Sequence, residues 1–324
     1  MFADEPRTAA YMSAIQRAVR PGSTVVEIGT GVGYFAVAAC RAGARRVYAI
    51  ELNPAIELAM QLAADNGCVD RITFIRDDSR RVTLAEQGDV LLSDLRGVLP
   101  LFQEHIPTIV DARTRLVRPG AALVPHSDTL WVAPCTAPQE WGRDHADAGH
   151  SLHGIDRRAI AARVRSDWYR CRLSAADLVG TAARWATLDY SKIDSPNVAG
   201  GAEWTFSHDA VADGLAIWFE GDFGFGVALS NSPLAPRTLY GQAFFPFERQ
   251  LHAKTGDRLT TALSAHCING EYLWGWDSTL TPSAPGSESV SFRQSTLASH
   301  IVSLGRLREL SAEGAAFPPT RSTG

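Results

Sequence analysis

Acids and glycines with a regular spacing mark one short stretch of the chain. It contains three glycines and two glutamates: Glu27, Gly29, Gly31, Gly33 and Glu51. Glycine lets the backbone turn tightly and approach a ligand closely, and a carboxylate can only accept hydrogen bonds. The combination indicates a site for a ligand that carries amino or hydroxyl groups to donate.

The elements around these residues predict how they are positioned. Apolar residues 25–28 and 47–50 read as buried parallel strands, and residues 35–41 as a helix that ends near Gly43. Strand, glycine turn, helix and strand form one βαβ unit of a nucleotide-binding sheet. The third glycine comes one residue earlier than in the dinucleotide pattern G-x-G-x-x-G, and an acid precedes the first.

This pattern resembles motif I of class I S-adenosylmethionine (SAM) methyltransferases. The resemblance implies that the turn admits the methionine part of SAM, that Glu27 lies near its amino group and that Glu51 takes the ribose hydroxyls. Asp78 and Ser79 follow the next predicted strand, where a polar side chain of SAM enzymes meets the adenine amino group. Two alternatives remain open: an ordinary tight turn with a solvated acid, and a capping role for Asp78 or Ser79.

Composition restricts the class of protein. The 324 residues are 45% hydrophobic and 20% charged, with a net charge of −4 and a pI near 6.1, which disfavours binding to nucleic acid. The five cysteines lie far apart, so we expect reduced thiols and no zinc. No signal peptide or membrane-spanning run is apparent, and we expect a soluble, cytoplasmic protein.

The predicted pattern of secondary structure changes once along the chain. Residues 1–20 predict a helix, and residues 21–135 alternate strand and helix, as in a doubly wound α/β sheet. Residues 136–310 read as short strands separated by turns, which predicts an antiparallel β-barrel or sandwich domain. Residues 311–324 are small, polar and proline-bearing, and we expect a flexible tail. The predicted fold class is a Rossmann-like SAM-binding sheet followed by a C-terminal antiparallel β-barrel.

This order of domains resembles the protein arginine methyltransferases, and residues 116–132 and 244–257 resemble their sheet-to-barrel crossing and a barrel hairpin. The resemblance implies methyl transfer from SAM to arginine in a protein or peptide. It also implies that the N-terminal helix covers the cofactor, with Arg7 paired to the cofactor carboxylate. A homodimer is implied as well, with residues 153–173 as the dimerisation arm; the alternative is that this stretch packs on its own chain. The candidate apolar contacts of the arm are Ile155, Ile160, Val164, Trp168 and Tyr169.

The family holds its guanidinium acceptor with two acids, which Asp94 and Glu104 match in position. A guanidinium stays charged, and two carboxylates can hold it in a fixed orientation. The alternative is a strand-end acid and a solvated acid at a helix start.

The chain departs from the family pattern around these acids. Asp94 is one methylene shorter than the family's glutamate, the loop to Glu104 is one residue longer, and Arg96 lies within it. The family's threonine-histidine-tryptophan loop falls at residues 238–242, where Leu239 replaces the histidine. We predict that Arg96, Tyr240 and Gln242 contact the substrate.

A histidine cluster and a set of four tryptophans could each belong to a functional site, but a purely structural role is favoured for both. His145, His150 and His153 match no metal-ligand spacing, so a polar loop is favoured and no metal is predicted. Trp204, Trp218, Trp274 and Trp276 could form a substrate wall, but core packing is favoured.

Two other functions remain open. One is a divergent methyltransferase that acts on another nitrogen or oxygen nucleophile of a peptide natural product, with Arg96 as anchor for a substrate carboxylate. The other is a catalytically weak, SAM-binding regulatory homologue.

Overall fold

A parallel sheet forms the first half of the computed structural model, which describes residues 4–142, 151–152, 155–156 and 163–300. Its strands are β1 (Thr24–Ile28), β2 (Arg46–Ile50), β3 (Ile72–Ile75), β4 (Gly88–Ser93) and β5 (Val117–Val124). They lie in the order β3-β2-β1-β4-β5, with all neighbours parallel. The order reverses between β1 and β4, and ligands of such sheets bind beyond the carboxyl ends of the strands at that point.

Helices cover the sheet. They are α1 (Glu5–Ala18), α2 (Tyr34–Arg41), α3 (Ile56–Asp65) and α4 (His105–Arg115), with a short 3₁₀ helix at Val69–Arg71. α1 begins where the Asp4 side chain accepts a hydrogen bond from the Arg7 backbone, with Pro6 in the first turn, as helix starts favour. It buries Tyr11 and Ile15 against the sheet domain, so the N-terminal helix is part of the core.

The second half consists of antiparallel sheets. Its longer strands are β6 (Ser127–Cys135), β9 (Tyr169–Cys171), β10 (Ala183–Asp189), β11 (Val198–Thr205), β12 (Ala210–Asp222), β13 (Ala228–Ser230), β14 (Gln242–Ala253), β15 (Arg258–Ile268), β16 (Glu271–Thr281) and β17 (Val290–Ser295). One sheet has the order β10-β6-β12-β14-β9, with β13 on β12, and the other has the order β11-β15-β16-β17. A small pair, β7 (Ser151–Leu152) and β8 (Ile155–Asp156), and three short helices, α5 (Pro138–Gly142), Ala175–Asp177 and α6 (Thr296–His300), complete the described part.

The predicted fold class is confirmed: a Rossmann-like sheet is followed by antiparallel sheets, consistent with a barrel. The four tryptophans considered as a substrate wall are between 0% and 4% exposed, so they belong to the β-domain core. The three clustered histidines and the predicted tail lie outside the described residues. No group of histidine, cysteine and acidic residues that could hold a metal occurs within the described ranges. None of the helices in those ranges is long and apolar enough to cross a membrane.

The predicted dimerisation arm is only partly described. Trp168 stacks on Phe245 of its own chain, with ring centroids 6.0 Å apart, and meets Trp274 edge to face, with centroids 6.5 Å apart. The Tyr169 hydroxyl donates to the Val164 carbonyl oxygen at 2.8 Å. These three residues of the arm therefore have contacts within the chain, whereas Ile155 is 67% exposed. Ile160, the remaining apolar residue predicted to contact a partner, lies outside the described residues.

Candidate active site

A cavity of about 620 Å³ opens at the carboxyl edge of the parallel sheet. It brings together seven of the predicted site residues: Gly29, Glu51, Asp78, Ser79, Asp94, Arg96 and Glu104. Six of them come from the ends of β1, β2, β3 and β4, because the carboxyl ends of parallel strands share one edge, and Glu104 comes from the start of α4. The turn between β15 and β16, residues 269–271, forms the opposite wall. The cavity therefore lies between the two halves of the molecule.

The glycine turn leaves open space beside its backbone. Gly31 is left-handed, with a φ of 55°, and a Cβ built on it meets no atom within 4 Å. Its N–H donates to the Glu51 carboxylate at 2.8 Å, and that carboxylate also accepts from the Asn53 N–H at 2.8 Å. Open space beside Gly31, together with an acid at the end of β2, fits the amino acid and ribose parts of SAM.

Glu27 is buried beneath this turn. Its carboxyl accepts a hydrogen bond from the Thr30 hydroxyl at 2.6 Å. Burial raises the pKa of Glu27 to about 8, with a smaller contribution from the charge of Glu51 and partial compensation by Thr30. Glu27 therefore holds a proton at neutral pH, and a nearby cation such as a ligand amino group would favour its ionised form.

Arg80 joins Asp78, which is predicted to lie near the adenine, to Glu104, the predicted acceptor acid. Its guanidinium donates to Asp78 at 2.9 Å and to Glu104 at 3.1 Å. The hydrogen bonds from Arg80 are the largest cause that lowers the pKa of Asp78. Glu104 is 39% exposed and lies at the N-terminal cap of α4. A guanidinium thus already binds between an acid from the β3 end and the second acid of the loop.

Asp94 holds the N-terminal helix rather than facing open space. Arg7 donates to it from Nε at 2.6 Å and from Nη2 at 2.5 Å, and the Tyr240 hydroxyl donates at 2.8 Å. The Asp94 side chain is 7% exposed. Burial alone would raise the pKa of Asp94, but the charges of Arg96 and Arg7 outweigh burial and lower it. The Arg7 guanidinium is therefore bound to Asp94, and its role toward the cofactor carboxylate stays a prediction.

Arg96 differs from its predicted placement as a substrate contact. Its side chain is 0% exposed and donates to Asp128 at 3.0 Å, to Asp94 at 3.3 Å and to the Tyr11 hydroxyl at 2.8 Å. Its guanidinium also lies over the rings of Phe219 and Phe223, at 4.9 and 5.3 Å from their centroids. With every nitrogen paired internally, Arg96 joins the sheet domain to the β domain and cannot anchor a substrate carboxylate.

The predicted acceptor-contacting loop, residues 238–242, also behaves differently from the prediction. Tyr240 is buried, and its hydroxyl donates to Asp94 at 2.8 Å and accepts from Arg7 Nε at 3.2 Å. The Gln242 amide binds the Asn231 carbonyl at 2.6 Å and the Leu173 N–H at 2.9 Å, away from the cavity. Where the family has histidine, the Leu239 backbone N–H donates to Asp4 at 2.6 Å. A backbone bond thus still connects this loop to α1 without the imidazole.

Sequence reasoning missed three contributors to the site. Arg80 lies two residues after Asp78, and His105 follows Glu104 directly. His105 is buried beside the Tyr190 hydroxyl, and burial, with a contribution from Arg96, lowers its pKa to about 3, so it is neutral. The third contributor is the β15–β16 turn, where a Cβ on Gly270 would meet Glu104 Oε1 at 2.7 Å. The Asn269-Gly270 pair signals a hairpin, but nothing local shows that the hairpin meets Glu104.

The proteins that resemble this chain in sequence are methyltransferases. The TRM5/TYW2 methyltransferase domain family matches residues 5–114, about a third of the chain. Protein arginine N-methyltransferase 6 of Xenopus tropicalis is 25% identical over 84% of this chain and 85% of its own length. The arginine N(omega)-methyltransferase of Streptomyces achromogenes subsp. streptozoticus is 28% identical, over 81% of this chain and 74% of its own length.

Solved structures show the same fold. Arabidopsis thaliana protein arginine methyltransferase 10 aligns with a TM-score of 0.80 at 21% identity, covering 91% of this chain and 95% of its own. A Trypanosoma brucei PRMT1 enzyme–prozyme heterotetrameric complex with AdoHcy aligns with a TM-score of 0.81 at 21% identity, covering 91% and 96%.

The relatives and the sheet geometry agree on one class: the chain is a class I SAM-dependent methyltransferase. Within that class it is protein arginine methyltransferase-like, because it is similar in sequence to arginine methyltransferases over 81% to 84% of its length.

Proposed function

We propose that this protein transfers a methyl group from SAM to a guanidinium nitrogen of arginine in a protein or peptide. The observation that carries this proposal is the Glu104 carboxylate. It lies in the same cavity as Glu51 and Asp78 and already binds one guanidinium, that of Arg80. A site that pairs a carboxylate with a cationic planar group suits arginine, which remains charged at any working pH.

The chain's own groups would contribute position and charge. SAM would supply the methyl group: its carbon forms a bond to the acceptor nitrogen as its bond to sulfur breaks, S-adenosylhomocysteine leaves, and the guanidinium loses one N–H proton to water. Glu104 would accept N–H bonds from the acceptor and so orient it, which converts an encounter into a reaction within one complex. Asp94 would act through Arg7, which it holds by two bonds. In this proposal Asp94 is a positioning residue, while Glu104 is the carboxylate that meets the substrate.

Glu104→Gln tests the assignment. It keeps the shape of the side chain but removes the charge that binds the acceptor. Loss of a partner from a desolvated charge pair costs about 2–5 kcal/mol, and the partial exposure of Glu104 favours the lower end. We expect kcat/KM for an arginine peptide to fall about 30-fold, with SAM affinity within a few-fold of wild type.

The matched control is Glu86→Gln, an exposed acid at the amino edge of the same sheet, paired with Arg45. It should leave the rate unchanged. Methylation is followed by mass spectrometry of the peptide. Equal rates for Glu104→Gln and wild type would reject Glu104 as the acceptor ligand. SAM binding without turnover of any arginine compound would favour the regulatory-homologue alternative.

Free arginine or a small arginine derivative is a second candidate acceptor. The observation that favours it is the Streptomyces relative, which is named for arginine itself rather than for protein arginine. Competition between free L-arginine and an arginine peptide in one reaction distinguishes the two acceptors, because the preferred one accumulates methyl groups first.

A homodimer is also part of the proposal. The complex with T. brucei PRMT1 is described as an enzyme–prozyme heterotetramer, so assembly occurs among structures of this fold. In this chain Ile155, at 67% exposure, is a candidate contact. Light scattering at micromolar concentration should give twice the monomer mass of 35.0 kDa. A mass equal to that of the monomer would reject the dimer.

A further inference from the structure

A small cavity of about 110 Å³ lies in the β domain, beside the loop of residues 238–242. Its wall comes from two segments, residues 172–174 after β9 and residues 231–242 before and at the start of β14. None of its lining residues borders the cavity assigned to SAM and the acceptor. Pockets for organic ligands occupy roughly 300–1,000 Å³, so this smaller cavity suits an ion or a single functional group.

Buried amides hold the two segments of the wall together. The Gln242 side chain donates to the Asn231 carbonyl at 2.6 Å and accepts from the Leu173 N–H at 2.9 Å. The Asn231 side chain donates to the carbonyls of Val98 and Gly241, at 3.0 and 2.5 Å. Asn231 and Gln242 are 1% and 7% exposed. Both amides therefore donate within the protein and fix the shape of the cavity.

Two buried hydroxyl groups in the same wall have protons left to donate. Thr238 is 6% exposed, and its Oγ1 has no hydrogen-bond partner in the part of the chain that the structure describes. Ser232 is also 6% exposed; its Oγ accepts from the Leu234 N–H at 3.2 Å and donates to no described residue. Buried hydroxyl groups are nearly always paired, so these two indicate a ligand that accepts hydrogen bonds.

Two exposed arginines, Arg172 and Arg237, give the wall its positive charge. Arg172 Nη1 donates to the Thr238 carbonyl at 3.3 Å, which holds this guanidinium at the loop. Neither arginine is paired with an acid within the described ranges. The carboxylate that binds the wall is Asp177, and it accepts from the N–H and the hydroxyl of Ser174. The donors that remain are thus two hydroxyls and two guanidinium groups, and the ligand that matches them is an anion.

The set of donors determines which anion fits. Guanidinium groups bind phosphate through paired bonds, and hydroxyl groups can donate to the oxygens that remain. We propose that this cavity binds a phosphate group, as free inorganic phosphate or as a phosphate monoester. The bound group would stabilise the loop whose Tyr240 hydroxyl holds Asp94 at 2.8 Å. Because the two cavities share no lining residue, the inference goes beyond the proposed function and does not depend on it.

Isothermal titration calorimetry of the full chain, with inorganic phosphate and with O-phosphoserine at constant ionic strength, tests the site. Wild type should bind a single phosphate group with saturation. Arg172→Gln and Arg237→Gln each remove a charge-assisted bond and should weaken binding about tenfold. Thr238→Val keeps the shape of the side chain without its hydroxyl and should weaken binding about fivefold. Tighter binding of O-phosphoserine indicates a monoester as the ligand, and tighter binding of inorganic phosphate indicates the free ion.

The matched control is Arg184→Gln, which removes an exposed arginine of β10 and should leave the affinity unchanged. Circular dichroism verifies that each variant is folded. Absence of saturable binding to wild type overturns the inference, and so does equal affinity in wild type and both cavity arginine variants. Phosphate also stabilises folded proteins without a specific site. An increase in melting temperature that Arg172→Gln and Arg237→Gln share fully with wild type would be this general effect and would likewise overturn the site.

The titration needs neither SAM nor turnover, so its outcome is independent of the methylation assay. If phosphate does not bind, the acceptor cavity and the proposed function are unaffected. If no arginine compound is methylated but the arginine variants lose phosphate binding, the proposed function fails and the phosphate site stands.

Discussion

Replacement of Arg96 by methionine should destabilise the protein strongly and in a pH-dependent manner. Methionine retains most of the apolar contact with the surrounding rings but removes the charge. Asp94 then keeps Arg7 and Tyr240, whereas Asp128 keeps only the Tyr190 hydroxyl, at 2.5 Å. Burial already raises the pKa of Asp128, although Arg96 partly offsets it. The variant leaves this carboxylate buried without a cation.

The cost of that uncompensated charge can be bounded. A buried carboxylate without its cation typically costs about 3–5 kcal/mol. It can instead take up a proton, at about 1.4 kcal/mol for each pH unit above its ordinary pKa of about 3.9. At pH 7 this route costs about 4 kcal/mol, which is a large share of a stability of about 5–15 kcal/mol.

The sign of the pH dependence follows from proton binding. In the folded variant the pKa of Asp128 lies above its unfolded value, so the folded state holds a proton that the unfolded chain has released. Stability of the variant therefore increases as pH falls toward the unfolded pKa and decreases as pH rises. The deficit relative to wild type should shrink from about 4 kcal/mol at pH 7 to about 1.5 kcal/mol at pH 5.

Urea unfolding followed by fluorescence, at pH 5, 6 and 7, measures this deficit. Arg258→Met is the control, because it removes an exposed partner of Glu203 and should cost no more than about 1 kcal/mol. Adding Asp128→Asn to Arg96→Met should recover much of the loss at pH 7 and remove its pH dependence. A deficit that is equal at pH 5 and pH 7 would show that lost packing, not uncompensated charge, is responsible, and would refute the reasoning.

Two further predictions concern the cofactor. Gly31 has a left-handed backbone, which valine adopts only with strain, and in Gly31→Val the new side chain would occupy the open space of the turn. Isothermal titration calorimetry should detect no SAM binding by this variant, while its circular dichroism spectrum stays that of wild type. If the variant binds SAM as tightly as wild type, the turn is not part of the site. SAM binding should also release a proton from Glu27 at neutral pH, because the pKa of about 8 falls beside a cationic ligand. Titration in buffers of different ionisation enthalpy measures that proton, which Glu27→Gln should abolish; an identical proton count in both proteins would contradict the assignment.

The cofactor half of the site could be predicted because its determinants are local. Gly29, Gly31 and Glu51 lie within one βαβ unit, and the strand–turn–helix order fixes where they meet. Asp78 follows the same rule, since it comes after a parallel strand whose carboxyl end borders the cavity, whereas Glu104 is assigned through the family resemblance.

The surroundings of Arg96 could not be predicted, because its partners come from distant parts of the chain. Tyr11 lies 85 residues away in α1, and Asp128 lies 32 residues away in β6. Nothing local distinguishes a loop arginine that faces substrate from one that is buried among rings of the β domain. The meeting of Gly270 with Glu104 is unpredictable for the same reason, although the Asn269-Gly270 turn itself has a clear sequence signal.

The two acids of the loop have different surroundings, and this difference explains the departures from the family pattern. Asp94 follows β4 directly, and its carboxylate binds Arg7, Arg96 and Tyr240 with little exposure. A shorter acid held by two cations suits a role in joining α1 to the two domains. Glu104 comes after the longer loop and remains in the cavity, where its charge is balanced only in part by the half-exposed Arg80. The extra loop residue and the buried Arg96 are thus parts of one arrangement, in which a single loop carboxylate remains available to a cationic acceptor.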